Sequence, residues 1–239
     1  MSTAEGGTTG TDGWTIVVPV KALDRAKSRL DPALPSAGRK ALVLAMAADV
    51  LRACLATPGV GRVRVVSAVD PLVRDLAARV GAEFVPEPQQ APRPRVDPLN
   101  AALTAALADV HGPVGVVTAD LPELRPHHLA RILASAARHP HSTVADHRGA
   151  GTTMAFWTGA PESRVCRFGP DSATRFRAGG AVTVGVAADL AAAARDVDIP
   201  ADLATLSARD VGAATAETLR DPSTRHATHV HGVSATMVR

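Results

Sequence analysis

Apolar and polar positions along this chain change period again and again, and the changes mark out its elements. Trp14–Val20 is a near-continuous apolar run of strand length, which suits a strand buried on both faces. From Arg39 to Cys54 the apolar residues recur at three and four: Leu42, Met46, Val50 and Cys54, with Val43, Ala47 and Leu51 beside them. That spacing predicts a helix with one face on the core and Met46 as core filler. Gly59 and Gly61 turn the chain into a second strand, Val63–Ser67. Asp70–Pro71 supplies an N-cap and first helical residue, Leu72, Leu76 and Val80 form the predicted inner stripe, and Gly81 ends the helix. A short strand, Ala82–Val85, follows. Strand, helix, strand, helix at this spacing predicts right-handed βαβ units.

Residues 86–98 form a Pro- and Gln-containing loop, ending in Asp97–Pro98 as the start of a helix that carries Leu99, Leu103 and Leu107 on one face. Val114–Thr118 is again apolar and stops at Asp120, before Pro122. Pro126–Arg138 reads as a helix with Leu129, Ile132 and Leu133 inward and His127 and His128 solvated. Ser142–Asp146 reads as a strand, followed by a glycine-rich turn at Gly149–Thr153 and the apolar Met154–Trp157. Asp171 or Ser172 can cap another helix, Ala181–Val186 reads as a strand, and Pro200 opens a last helix. Periodicity fades after Leu219. The fold class expected is α/β, a mixed, mostly parallel sheet with helices on both faces. It forms one domain over 14–219, between a disordered Gly/Thr-rich residues 1–13 and a disordered tail, 220–239.

Composition narrows the function classes. The 239 residues carry a net charge of +3, 3% aromatics and no Tyr. Dense basic stripes with stacking aromatics are missing, so nucleic acid is not an expected partner. The two cysteines, Cys54 and Cys166, have no metal-ligand spacing and suit buried thiols in a reducing compartment. No apolar run reaches membrane-spanning length and no signal pattern opens the chain, so a cytoplasmic protein without a membrane partner is expected. In the tail, His226, His229 and His231 are spaced like ligands but lack flanking ones.

The candidate chemistry gathers at strand ends. Asp120 follows a buried strand where open α/β sheets bind ligands, and it suits a turn cap equally well. Lys21, Arg25, Lys27 and Arg29 cluster after the first strand, as a triphosphate site or as a solvated basic loop. There is no Walker-type loop. Asp196 and Asp198 lie two apart in a non-helical stretch, so they share a side and repel unless a cation stands between them. Mg²⁺ satisfies that arrangement, and so does an exposed acidic turn. Asp97 serves as a helix cap, whereas Asn100 has no evident packing reason to bear an amide and is expected to be free for a ligand. Gly151–Thr152 and Gly169–Ser172 are turns that can bring backbone N–H groups to an anion.

Taken together, Val18-Pro19-Val20-Lys21, Ala26-Lys27-Ser28-Arg29-Leu30, Asp97-Pro98-Leu99-Asn100, Ala119-Asp120-Leu121-Pro122, Gly151-Thr152, Arg167-Phe168-Gly169-Pro170-Asp171-Ser172 and Asp196-Val197-Asp198-Ile199-Pro200 resemble a known family. It is the phosphoenolpyruvate or 2-phospho-L-lactate guanylyltransferases of coenzyme F-420 (deazaflavin) biosynthesis, and the likeness runs from Trp14 to Leu219. The resemblance implies a nucleotidyltransferase-like fold, a Rossmann-related three-layer sandwich. It implies a Mg²⁺-dependent transfer of GMP from GTP to a phosphorylated three-carbon acid. Phosphoenolpyruvate is favoured over 2-phospho-L-lactate and 3-phosphoglycerate, and a deazaflavin transferase is the expected recipient of the product.

On the same resemblance, Asp120, Asp196 and Asp198 hold metal, and Lys21, Thr152, Gly169 and Ser172 hold the phospho-acid, with Thr153 as an alternative to Thr152. Lys27, Arg29, Asp97 and Asn100 face the nucleotide, and Lys21, Asp120 and Asp196 are the catalytic set. Molybdopterin and sugar-phosphate nucleotidylyltransferases carry a Gly-Gly-type loop after the first strand. Pro19-Val20-Lys21-Ala22 stands there instead, which disfavours them. A non-catalytic nucleotide-binding module of the same fold is the other alternative, and the retained acids speak against it.

Overall fold

The computed structural model describes residues 13–23, 27–31, 33–88, 97–185, 188–207 and 209–224. Seven strands form one sheet: β1 (Trp14–Pro19), β2 (Val60–Ser67), β3 (Glu83–Pro86), β4 (Val114–Val117), β5 (His141–Ala145), β6 (Thr152–Trp157) and β7 (Val182–Thr183). Their order is β3-β2-β1-β4-β6-β5-β7. The pairs β1–β2, β1–β4, β2–β3 and β5–β7 are parallel, while β6 runs antiparallel to both β4 and β5. The sheet is therefore mixed and mostly parallel, as the hydrophobic pattern predicts.

Strand periodicity divides the core into two layers. Ile16 and Val18 of β1, with Met154 and Phe156 of β6, face a cluster built by α1 (Ser36–Leu55), α2 (Pro71–Val80) and α4 (Pro126–Ala136). Val17, Val116, Ala155 and Trp157 face the opposite layer, built by α3 (Pro98–Leu107) and α5 (Ser172–Ala178). A smaller cluster of Leu30, Leu34, Leu42, Met46 and Val197 packs the first half of α1 against α6 (Pro200–Thr205) and α7 (Ala213–Arg220).

The helix ends follow the expected chemistry. Asp70 accepts the Leu72 N–H at 2.9 Å and Gly81 takes a left-handed conformation, φ 83°. Asp97 accepts the Asn100 N–H at 3.1 Å. Caps of this kind contribute about 1 kcal/mol each.

Several boundaries differ from the sequence pattern. The inner stripe of α2 is Val73, Leu76 and Ala77, while Leu72 is exposed. Of the predicted strand at 181–186, Val186 lies outside the described residues and the rest shrinks to β7, a two-residue edge strand paired with β5 at Ser142 and Thr143. Regular structure also continues past Leu219: a 3₁₀ turn, Pro222–Thr224, follows α7 and buries Thr224. Its carbonyl oxygen would lie 2.1 Å from a Cβ at position 38, so α1 needs Gly38 there. The three tail histidines and residues 1–12 lie outside the described residues. No helix among those described is long and apolar enough to cross a membrane.

Candidate active site

Parallel strands leave their C-terminal ends on one edge of the sheet, and the candidate residues collect there. Val17 of β1 pairs with Val116 of β4, so the segments that leave these strands run side by side toward Lys21 and Asp120. The antiparallel β6 starts at the same edge: the Thr118 N–H donates to Thr153 O at 3.0 Å, which sets Thr152 beside the exit from β4. The segment 196–198 is tied in by the Val197 N–H, which donates to Asp120 O at 3.3 Å.

These connections bring three carboxylates together. One oxygen each from Asp120, Asp196 and Asp198 lies within 4.8 Å of the others. The Lys27 ammonium donates to Asp120 Oδ2 and to Asp198 Oδ1, the latter at 2.5 Å. Lys27 reaches inward from a left-handed backbone, φ 53°. A non-glycine residue in that region carries strain, and such strain gathers at functional loops.

The charges shape one another. Burial alone would raise the Asp120 carboxyl, but the Lys27 ammonium overcomes it and holds the group below the usual carboxylate range. Burial acts against the Lys27 charge too, and Asp120 and Asp198 reverse that, pushing the amine up. Asp196 goes the other way: burial, then the like charges of Asp120 and Asp198, raise its carboxyl, with a bond from His147 working against them. Three acids and one lysine thus leave Asp196 undercompensated.

The donor set fits a hard divalent cation: three carboxylates, at least one of them not neutralised by protein. Asp120 Oδ1 supplies an independent sign, being buried without a hydrogen-bond partner among the described residues. A buried acceptor of this kind is costly unless something satisfies it.

A second group of residues lines the adjoining loops. The turn between β5 and β6 wraps the Asp146 carboxylate, which accepts N–H groups of Arg148 (3.1 Å), Ala150 (3.0 Å) and Gly151 (2.9 Å). Ala150 O then accepts the Ala173 N–H at 3.1 Å, fastening the start of α5 to this turn. Thr152, next in the chain, has a buried hydroxyl with no partner among the described residues, while the Thr153 hydroxyl donates to Val144 O at 3.4 Å. Of the two, Thr152 has the uncommitted hydroxyl. Gly169 adopts φ 115°, a conformation that favours glycine, and Ser172 is buried at the start of α5.

Asn100 corrects the sequence reading. Its side-chain Nδ2 donates to Phe168 O at 2.9 Å and its Oδ1 accepts the Phe168 N–H at 2.8 Å. The amide has a packing reason after all: it clamps the peptide next to Gly169. That partner lies 68 residues away, beyond the reach of any local pattern. Lys21 and Arg29 are exposed, and among the described residues no bond joins either to the acids. Arg25 lies outside the described residues. The sequence reading also missed His147, Arg148 and Asp202, which stand behind the acids. A mainly apolar cavity of about 450 Å³, lined by Leu34, Leu42, Leu203 and Leu219 with Arg220 among its polar residues, includes none of the three acids or Lys27.

A sequence profile described as guanylyl transferase CofC-like matches residues 14–168. The chain belongs to this family. A relative from Nocardia farcinica, called phosphoenolpyruvate guanylyltransferase, is 42% identical over 210 residues, covering 86% of this chain and 90% of its own. One of the same name from Streptomyces coelicolor is 42% identical over 209 residues, covering 85% and 94%. Among solved structures, a nucleotide-diphospho-sugar transferase described as putative, from Desulfovibrio desulfuricans, superposes with a TM-score of 0.62 at 16% identity over 87% of this chain and 94% of its own. That likeness establishes the nucleotidyltransferase fold. The protein is thus an enzyme of the guanylyl transferase family, with three acids at the strand ends that could hold a metal ion.

Proposed function

We propose that the protein transfers the guanylyl group of GTP to phosphoenolpyruvate, giving enolpyruvyl-diphospho-5'-guanosine and pyrophosphate for coenzyme F-420 biosynthesis. The observation that carries this reading is the meeting of Asp120, Asp196, Asp198 and Lys27 beside Thr152. It supports the reading of an acidic centre suited to a metal ion beside a loop suited to an anion. The names of the relatives from Nocardia and Streptomyces support the choice of acid.

The reaction needs no general base, because the attacking phosphate of phosphoenolpyruvate is already ionised near neutral pH. Its oxygen forms a bond to the α-phosphorus of GTP as the bond from that phosphorus to the bridging oxygen breaks. Pyrophosphate leaves with the electron pair. The demands on the protein are in-line alignment and neutralisation of charge. Asp120, Asp196 and Asp198 would hold Mg²⁺, which when bound supplies Lewis-acid stabilisation of the reacting phosphates. Lys27 keeps Asp120 ionised and brings a positive charge to the same edge, where the triphosphate is to be seated. Lys21, exposed at the level of Asp120, meets the incoming phosphate, and Arg29 the leaving pyrophosphate. The Thr152 hydroxyl, the Gly169 N–H and the Ser172 hydroxyl hold the phospho-acid. Asp97 shapes the nucleotide side by capping the start of α3, and Asn100 in the same turn also holds Phe168, whose neighbour Gly169 meets the phospho-acid.

The product joins an enol ester to a diphosphate and is labile, which favours direct transfer to a deazaflavin acceptor enzyme. The test is to incubate the protein with GTP, Mg²⁺ and, separately, phosphoenolpyruvate, 2-phospho-L-lactate or 3-phosphoglycerate, with that acceptor enzyme present. Pyrophosphate release and mass spectrometry of the product identify the acid. Turnover is expected with phosphoenolpyruvate. No pyrophosphate with any of the three would leave a nucleotide-binding module in place of the enzyme.

A further inference from the structure

Behind the three acids, a single carboxylate joins two loops that the chemistry needs in register. Asp202 is the third residue of α6, and its side chain is only 7% exposed. Its Oδ2 accepts the Asp198 N–H at 2.9 Å and the Ile199 N–H at 3.0 Å, so it grips the backbone that carries the last acid. Its Oδ1 accepts from the Arg148 guanidinium at 2.6 Å and lies 3.7 Å from His147 Nε2. The other ring nitrogen of His147, Nδ1, lies 3.1 Å from Asp196 Oδ1. Every oxygen of Asp202 is therefore spent on holding something else in place.

Arg148 and His147 belong to the turn wound around Asp146, the turn that leads directly into Thr152 and is fastened to α5 through Ala150. Position 151 is part of the same device, because a Cβ there would stand 2.5 Å from Asp146 Oδ2. The chain of contacts runs from Asp196 and Asp198, through Asp202 and Arg148, to the loop assigned to the phospho-acid. Groups that touch a ligand's partner rather than the ligand itself commonly set the orientation of a metal site.

From this geometry we infer that Arg148 and Asp202 act as positioning residues, a charged strut that holds the Asp196–Asp198 segment in its metal-binding shape and in register with the Thr152 loop. The inference rests on the metal reading of the three acids given above. It makes a prediction opposite in sign to simple electrostatics. Arg148 is a cation close to an acidic cluster, so on charge alone its removal should tighten divalent-ion binding. A strut predicts the reverse: once Arg148 is gone, the acids lose their arrangement and binding weakens.

The experiment is Mn²⁺ binding to the full-length protein without substrates, followed by electron paramagnetic resonance. It compares wild type with Arg148→Met, Arg148→Lys, Asp202→Asn and the Arg148→Met/Asp202→Asn pair. Thermal melts establish that each variant is folded. Arg148→Met is expected to weaken Mn²⁺ binding by about 10- to 100-fold, the range found when groups supporting metal ligands are removed. Asp202→Asn keeps an acceptor for the Asp198 and Ile199 N–H groups but loses the charged partner of Arg148, so it should match Arg148→Met. The double variant should be no worse than either single one, because both remove the same link. Arg148→Lys should recover part of the loss. In steady state, Arg148→Met should also raise KM for phosphoenolpyruvate. Unchanged or tighter Mn²⁺ binding in folded Arg148→Met overturns the strut while leaving the metal site standing. A wild-type protein that binds no Mn²⁺ overturns the metal reading itself, and the strut with it.

Discussion

The Asn100 side chain and the Phe168 peptide are matched donor to acceptor at 2.9 and 2.8 Å, an amide reading both polar edges of a backbone unit far away in sequence. Phe168 O has a second donor, the Arg175 guanidinium at 3.0 Å, whereas no other group is bonded to the Phe168 N–H among the described residues. Asn100→Leu should therefore strand one buried donor rather than two groups, costing about 1–3 kcal/mol. Denaturant titration measures this. Because Gly169 follows directly, KM for the phospho-acid should rise as well. Stability equal to wild type would show that the clamp contributes nothing.

Two acids of the site should give the same loss of catalysis and opposite effects on stability. Asp120→Asn and Asp196→Asn should each lower turnover by at least about 100-fold, since either removes a charge from the reacting centre. In EDTA at pH 7 the signs part. Asp120 is held below its usual range against the pull of burial, chiefly by Lys27, so its ionised form stabilises the native state. That stabilisation is present above the unfolded carboxyl's pKa and is lost as pH falls through the lower native value. Asp120→Asn should melt lower. Asp196 is raised by burial and then by its acidic neighbours, so its ionised form is a native-state cost above the raised pKa, relieved on acidification. Asp196→Asn should melt higher. Differential scanning fluorimetry on the two variants decides it, and a shared direction would refute the charge assignment.

A second pH effect lies well away from the acids. His141 stacks on Trp157, with ring centroids 4.9 Å apart, and burial, helped by Arg167, lowers its imidazole to about 4 from the ordinary 6.5. Between these values the unfolded chain holds a proton that the native state refuses, so stability should fall as pH drops through that window. His141→Phe should flatten the dependence. Melting curves at pH 7 and pH 5 for both proteins provide the comparison, and equal losses in the two would exclude His141 as the cause.

Gly151→Ala should act on binding more than on folding. Its Cβ would crowd an Asp146 carboxylate that three N–H groups already hold, and either the carboxylate or the turn would have to move aside. KM for phosphoenolpyruvate should rise several-fold with kcat changed less. Initial-rate kinetics separate the two, and a fall in kcat alone would argue against a binding role for this turn.

Much of the fold was legible because its determinants are local. Asp70, Gly81 and Asp97 mark helix ends by their own chemistry, and the period of Leu42, Met46, Val50 and Cys54 places α1 without reference to anything else. Asp196 and Asp198 were legible as a pair for the same reason, being two apart in an extended segment. What the sequence concealed depends on distant partners. Lys27 reads as one of four exposed cations until β1 and β4 bring it against Asp120, 93 residues on. Asp202 reads as an ordinary acid in a first helical turn, and nothing near it announces Arg148, 54 residues away. Leu72 shows the converse error: its spacing to Leu76 and Val80 is helical, yet it is exposed and Val73 takes the buried place beside Leu76.

The reversed strand β6 has a consequence for how this enzyme can change. In an all-parallel sheet the connection leading into a strand lies on the edge away from the ligand. Because β6 runs backwards, its entry turn instead opens onto the edge that carries the three acids, with Thr152 at its end. A hairpin turn tolerates altered length and composition more readily than the core strands flanking it. Here that freedom is curbed: Arg148 of this turn is bonded to Asp202, which holds the Asp198 backbone, so a lineage that edits residues 146–151 disturbs the acid-bearing segment unless position 148 keeps its bond.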